Sequence, residues 1–131
     1  MKKYSVLILA IVVILSITAC GKEPEMSENT YEHISREAAK NLMDTEENYI
    51  ILDVRTEEEY AEGHIAGAIC IPNETIDETV TDELSEKDQL ILVYCRSGNR
   101  SVQASEKLAE LGYTNIKEFG GINTWEYETE Q

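Results

Sequence analysis

Apolar residues along this chain fall into short clusters separated by polar runs, and their spacing switches between two periods. Ala38, Ala39, Leu42 and Met43 recur at helical spacing behind Ser35, whose hydroxyl is placed to cap a first turn. Tyr49-Ile50-Ile51-Leu52 is a continuous apolar run that stops at Asp53, as a strand buried on both faces would. Thr56-Glu57-Glu58-Glu59 fits a capping box, which predicts a short helix from Thr56 that stops by Gly63. Ala68 to Ile71 reads as a short strand halted by Pro72. From Asn73 to Lys87 the chain is strongly acidic, with Ile76, Val80 and Leu84 four apart, and that spacing predicts an amphipathic helix. Leu90 to Val93 is the expected central strand, and Val102 to Leu111 the helix after it, ended by Gly112. Asn115 to Phe119 gives a last strand, Gly120-Gly121 a turn, and Ile122 to Tyr127 one closing helical turn.

Strands that alternate with helices imply an α/β fold, with a central, mostly parallel sheet of five strands and helices on both faces. In such sheets ligands bind beyond the carboxyl ends of the strands. Asp53 and Cys95 both stand at that end. There is no internal repeat and no sign of a second domain.

The first residues follow a different rule. Met1-Lys2-Lys3 is a basic start, Val6 to Ile17 is almost wholly apolar, and Ile17-Thr18-Ala19-Cys20 closes the segment. A basic region, an apolar stretch and small residues before a cut describe a secretory signal. The last four resemble the bacterial lipobox, which implies that residues 1–19 are removed and that Cys20 is the lipid attachment site. An uncleaved membrane anchor is the rival reading, but the apolar run is short for a span of about 20 residues. Either way the expectation is a membrane-held protein on the extracytoplasmic face of a bacterial cell. Gly21 to Thr30 is polar and acidic, so residues 20–30 read as the lipidated cysteine with a tether, and 31–131 as the folded domain.

Charge narrows the partners. The chain carries a formal net charge of −15, and loss of Lys2 and Lys3 leaves nine basic side chains against twenty-six acids. So acidic a surface excludes nucleic acid and disfavours anionic lipid headgroups as ligands. It also makes each remaining cation conspicuous, and two of them closely follow a cysteine.

That cysteine opens Tyr94-Cys95-Arg96-Ser97-Gly98-Asn99-Arg100-Ser101. A strand feeds into this stretch and a helix follows, so Cys95 faces the free N–H groups and positive dipole end of a helix. Both favour thiolate over thiol, and Arg96 and Arg100 act in the same direction. Gly98 lets the loop turn tightly, while Ser97, Asn99 and Ser101 add small polar donors. A buried structural cysteine accounts for Cys95 alone but not for the polar, cationic run behind it.

The loop resembles the active-site loop of the rhodanese-like sulfurtransferases. The resemblance continues in order through Asp53-Val54-Arg55, Glu59-Tyr60, Gly63-His64-Ile65-Ala66-Gly67-Ala68, Ile71-Pro72, Gly120-Gly121 and Trp125, and so covers the chain from about Tyr31 onward. It implies that Cys95 is the catalytic nucleophile and carries sulfur as a persulfide. Arg96 to Ser101 then bind a small anionic donor, thiosulfate or polysulfide, and a thiol or cyanide accepts the sulfur. A protein persulfide is a further possible partner. The resemblance implies no cofactor, and no cysteine–histidine cluster has metal-ligand spacing, so no metal is expected.

Asp53 and Arg55 are expected to orient the loop from behind, and Arg100 to pair with a carboxylate such as Asp53 or Glu59. His64 is read as structural, since an ionised thiolate needs no base. Cys70 is read as core packing, with a disulfide to Cys95 left open. Two rival functions share these residues. Tyrosine phosphatases place an arginine six residues beyond the cysteine, whereas that position here is Ser101, and related cell-cycle phosphatases carry a loop one residue longer. A shorter loop suits sulfur better than a phosphate- or arsenate-sized oxyanion, which disfavours a phosphatase or arsenate reductase. A redox-sensing or partner-binding module without catalysis is the second rival.

Overall fold

The computed structural model describes residues 30–131; the signal peptide expected over residues 1–19 and the expected lipid site at Cys20 lie outside the described residues. The chain runs β1 (Glu32–His33), α1 (Arg36–Thr45), β2 (Tyr49–Asp53), α2 (Glu57–Glu62), β3 (His64–Ile65), β4 (Ile69–Cys70), β5 (Leu90–Cys95), α3 (Asn99–Glu110), β6 (Ile116–Gly121) and β7 (Thr129–Glu130). Five strands form one sheet in the order β1-β6-β5-β2-β4, and every pairing in it is parallel. A second sheet pairs β3 with β7 antiparallel.

Two apolar layers cover the large sheet. On one face Leu52, Val54, Ile91 and Val93 pack with Ala104, Leu108 and Tyr113. On the other, Ala39, Ile51, Leu92, Tyr94 and Phe119 form the core, with Leu42 and Met43 of α1 against it. The alternation of Ile91 and Val93 to one side and Leu92 and Tyr94 to the other is the period-two pleat of a strand covered on both faces. Fully burying each of these large side chains stabilises the fold by roughly 1.5–3 kcal/mol.

The caps form as the sequence dictates. Ser35 accepts from the Ala38 N–H at 3.0 Å, and Thr56 from the Glu59 N–H at 3.2 Å. The acidic stretch does not form the expected amphipathic α-helix. It makes two 3-10 turns, Asn73–Thr75 and Glu78–Asp82, the second capped by the Asp77 side chain. Ile76, Val80 and Leu84 are nonetheless buried, so their spacing marks a segment pressed on the core without a continuous helix. Lys107 of α3 reaches the carbonyl of Asn73 at 2.7 Å and fastens this segment to the helix.

Three further boundaries differ. Helix α3 begins at Asn99, so Asn99, Arg100 and Ser101 belong to its first turn and not to the loop. Gly120 and Gly121 continue β6, and Gly121 stands opposite Cys95 in the register. The closing segment is a short 3-10 turn over Ile122–Thr124 followed by β7, an unexpected strand.

Candidate active site

Cys95 is the last residue of β5, at the carboxyl end of the sheet's middle strand. Behind it Gly98 takes φ +112°, a left-handed conformation that side chains rarely adopt, and sits at the N-cap of α3. This conformation brings the Gly98 N–H to 3.0 Å from Cys95 Sγ. Ser101, fully buried, stands one turn on with its Oγ 3.4 Å from the same sulfur.

The loop is pressed against β6. The Asn123 N–H donates to the Arg96 carbonyl at 3.2 Å. A Cβ at Gly121 would stand 2.0 Å from that carbonyl oxygen and 2.6 Å from the Ser97 nitrogen, so only glycine permits the contact. The sulfur is therefore held inward, and Cys95 is 1% exposed. Arg96, Ser97 and Asn99 are exposed and form the rim above it.

The two arginines divide their tasks. Arg100 donates to Glu59 through Nη1 at 2.7 Å and Nη2 at 3.0 Å, the two-pronged geometry of a strong ion pair. These bonds hold the Glu59 carboxyl down at about 2, against an ordinary 4.5, despite the opposing effect of burial. Arg100 thus ties α3 to α2, and Arg96 carries the cationic charge of the rim.

Asp53 and Arg55 sit beneath the loop as a buried pair. Arg55 donates to Asp53 Oδ2 at 2.7 Å and to the Gly63 carbonyl at 2.6 Å, while the Tyr94 hydroxyl donates to Asp53 Oδ2 at 2.6 Å. The Tyr94 oxygen accepts the Ile65 N–H at 3.0 Å. Burial opposes the Arg55 charge, yet the bonds to Asp53 outweigh it and raise its pKa. Burial first, and then the bond to Asp53, push the Tyr94 phenol well up. Neither Asp53 nor Arg55 hydrogen-bonds the Cys95 loop itself; they fix Tyr94, the residue before it, and the Gly63–Ile65 segment.

His64 is buried, stacked on Tyr60 with centroids 3.7 Å apart, and its Nδ1 lies 2.9 Å from the Tyr60 carbonyl. Cys70 stands at the end of edge strand β4, half-buried rather than mid-strand in the core, with its Sγ 3.6 Å from the Arg55 carbonyl. Burial, then the Asp53 charge, push its thiol up to about 11. Both described cysteines are free thiols. Among the described residues no group of three or more His, Cys, Asp or Glu is arranged to hold a metal ion.

The structure adds Glu118, which the sequence reading missed. It is 1% exposed on β6 and accepts from the Ser101 hydroxyl at 2.6 Å and the Gly120 N–H at 2.7 Å. His33 Nδ1 lies 2.5 Å from its other oxygen. The one available signal was its place two residues after Ile116, on the side of the strand that must face α3.

The model of the rhodanese-like domain matches residues 35–128. The chain belongs to the rhodanese-like domain family. It is 39% identical over 71 residues to thiosulfate sulfurtransferase PspE of Escherichia coli, covering 54% of this chain and 68% of that protein. It is 36% identical over 92 residues to a sulfurtransferase of Allochromatium vinosum, covering 70% of this chain and 83% of that one. Among solved structures, a rhodanese with anions from Escherichia coli superposes with a TM-score of 0.59 at 34% identity, covering 63% of this chain and 98% of the other. This rhodanese-like domain thus places a cysteine, an αL glycine and a helix N-terminus at the carboxyl end of its sheet.

Proposed function

We propose that the domain is a sulfurtransferase that takes sulfane sulfur from a small anion onto Cys95 and passes it on. The observation that carries this reading is the Gly98 N–H aimed at Cys95 Sγ from the start of α3. An amide and a helix end at that point favour an anionic terminal sulfur without any metal. The donor enters over the rim, where Arg96 meets its charge. The relatives named as sulfurtransferases, and the related structure described with anions, support the same chemistry.

In the first half-reaction the Cys95 thiolate attacks the sulfane sulfur of thiosulfate. A new S–S bond forms, the old one breaks and sulfite leaves with its electron pair. In the second, a thiolate or cyanide attacks the outer sulfur and the Cys95 thiolate is restored. A polysulfide or a protein persulfide serves as donor by the same displacement. The small loop favours this over phosphate ester hydrolysis.

Intact mass after incubation with thiosulfate tests the reading. The expected result is a gain of one sulfur atom, removed by cyanide and absent in Cys95→Ser. Cys95-dependent hydrolysis of an aryl phosphate with no sulfur gain overturns it. We also propose that Cys20 tethers the domain by lipid to the outer face of a bacterial membrane. Labelled fatty acid should enter the full chain in cells and be lost in Cys20→Ser; equal labelling of both overturns the anchor.

A further inference from the structure

Ser101 Oγ has a single proton and four neighbours. Glu118 Oε1 lies at 2.6 Å, the Gly98 carbonyl at 2.9 Å, the Gly120 carbonyl at 3.3 Å and Cys95 Sγ at 3.4 Å. Three of these are oxygens that can only accept, and the nearest is a carboxylate, which forms the stronger bond. The hydroxyl proton therefore points to Glu118, and an oxygen lone pair is left facing the sulfur. A thiol satisfies that lone pair by donating its S–H while it accepts from Gly98; an anionic sulfur does not.

We propose that Glu118 is a positioning residue that commits the Ser101 hydroxyl away from Cys95, and so withholds a hydrogen-bond donor from the sulfur. The proposal rests on the reading of Cys95 as the sulfur carrier. Formation of the anionic sulfur requires the Ser101 hydroxyl to turn from Glu118 toward Sγ. Glu118 thereby sets how readily the cysteine enters its reactive form.

The groups around the carboxylate come from every neighbouring element. From the β1 strand and the residue before it come His33, 70% exposed in its side chain, and Tyr31, whose phenol is raised by burial and then by the charges of Glu106 and Glu118. Strand β5 supplies Cys95, and α3 supplies Ser101. The charged groups of α1 are engaged elsewhere, Arg36 with Glu37 and Glu126, and Lys40 with Asp44. Lys117, next to Glu118 on β6, points to Glu32. Glu118 Oε2 faces His33 Nδ1 at 2.5 Å and no lysine or arginine pairs with it among the described residues, so Oε1 is the oxygen that acts on the site, through Ser101.

Alkylation of Cys95 by iodoacetamide tests this without any sulfur donor. In the full chain, Glu118→Gln keeps an acceptor for the Gly120 N–H but removes the charge. The expected result is a rate about tenfold higher at neutral pH, with the pH–rate profile moved toward acid. In a Ser101→Ala background the same substitution should change the rate by less than about threefold, because the hydroxyl that transmits it is gone. An unchanged or slower rate in Glu118→Gln, or an equal effect in both backgrounds, overturns the proposal. A second readout uses the unaltered residues. The Glu118 side-chain carboxyl carbon, followed by NMR, should show an inflection over the pH range where alkylation rises. That inflection should be missing in Cys95→Ala, and its persistence there also overturns the proposal. Failure to gain sulfur from thiosulfate with these alkylation results intact removes the transferase reading alone.

Discussion

At the residue scale the site depends on two glycines that do different things. Gly98 supplies a backbone conformation, whereas Gly121 supplies empty space under the Arg96 carbonyl. Backbone atoms cannot move aside as a side-chain end can, so a methyl group at Gly121 must push the whole loop outward. Gly121→Ala should therefore cut sulfur uptake from thiosulfate at least about tenfold, since a shift on the order of 1 Å in a positioned nucleophile has that effect. Single-turnover mass measurement checks it; wild-type uptake would mean that the loop tolerates displacement. The glycine pair was legible in the sequence, but as a turn. Its real duty depends on Cys95 and Gly121 lying opposite each other across two strands, which local pattern does not encode.

At the element scale, α2 and α3 are coupled by Glu59 and Arg100. The Glu59 pKa is depressed when folded, so its contribution to stability is fully present above the ordinary 4.5 and is lost as pH falls from there toward about 2. Glu59→Gln should flatten the acid limb of the stability curve across that window, measured by urea unfolding at stepped pH. An acid limb as steep as the wild type's would show that the pair contributes nothing. The sequence reading, with a capping box that put Glu59 on a helix and Arg100 just after the active loop, offered Asp53 or Glu59 as the partner, and the structure supplies Glu59. The same logic failed for residues 73–87. Ile76, Val80 and Leu84 do reach the core, but Asp77 caps a turn locally and the backbone never closes a continuous helix. The two-residue strands β1, β3 and β7 were invisible for a simpler reason: two residues cannot display a period. Glu118 was hidden because a charged residue in a strand reads as solvent-facing until its buried partners are known.

At the scale of the whole molecule, the loop rests on a polar core as much as on an apolar one. Asp53, Arg55 and Tyr94 form a closed set of bonds beneath the site, and Arg55 carries it to the Gly63 carbonyl. Removal of one partner leaves a buried charge without compensation. Arg55→Met should cost about 3–5 kcal/mol in unfolding free energy, and Asp53→Asn in the same chain should recover part of it. Denaturant titration reads both, and a loss under about 1 kcal/mol would show that Asp53 finds other partners. The sheet, its parallel order and the place of the cysteine were legible from periodicity and from the resemblance. This polar foundation was legible only as the identity of two residues, because its partners Tyr94 and Gly63 are distant in the chain.

The β3–β7 sheet works as a buckle. Glu130 accepts the Gly67 N–H at 2.9 Å and stands 3.3 Å from His64 Nε2, so the final residues hold the segment whose Gly63 carbonyl receives Arg55. A chain cut after Tyr127 should retain the large sheet by circular dichroism yet melt several degrees lower. An undiminished melting temperature would show that the buckle carries no load. Any cargo spliced onto that end tugs first on the strap beneath Arg55, so reporters are better grafted elsewhere.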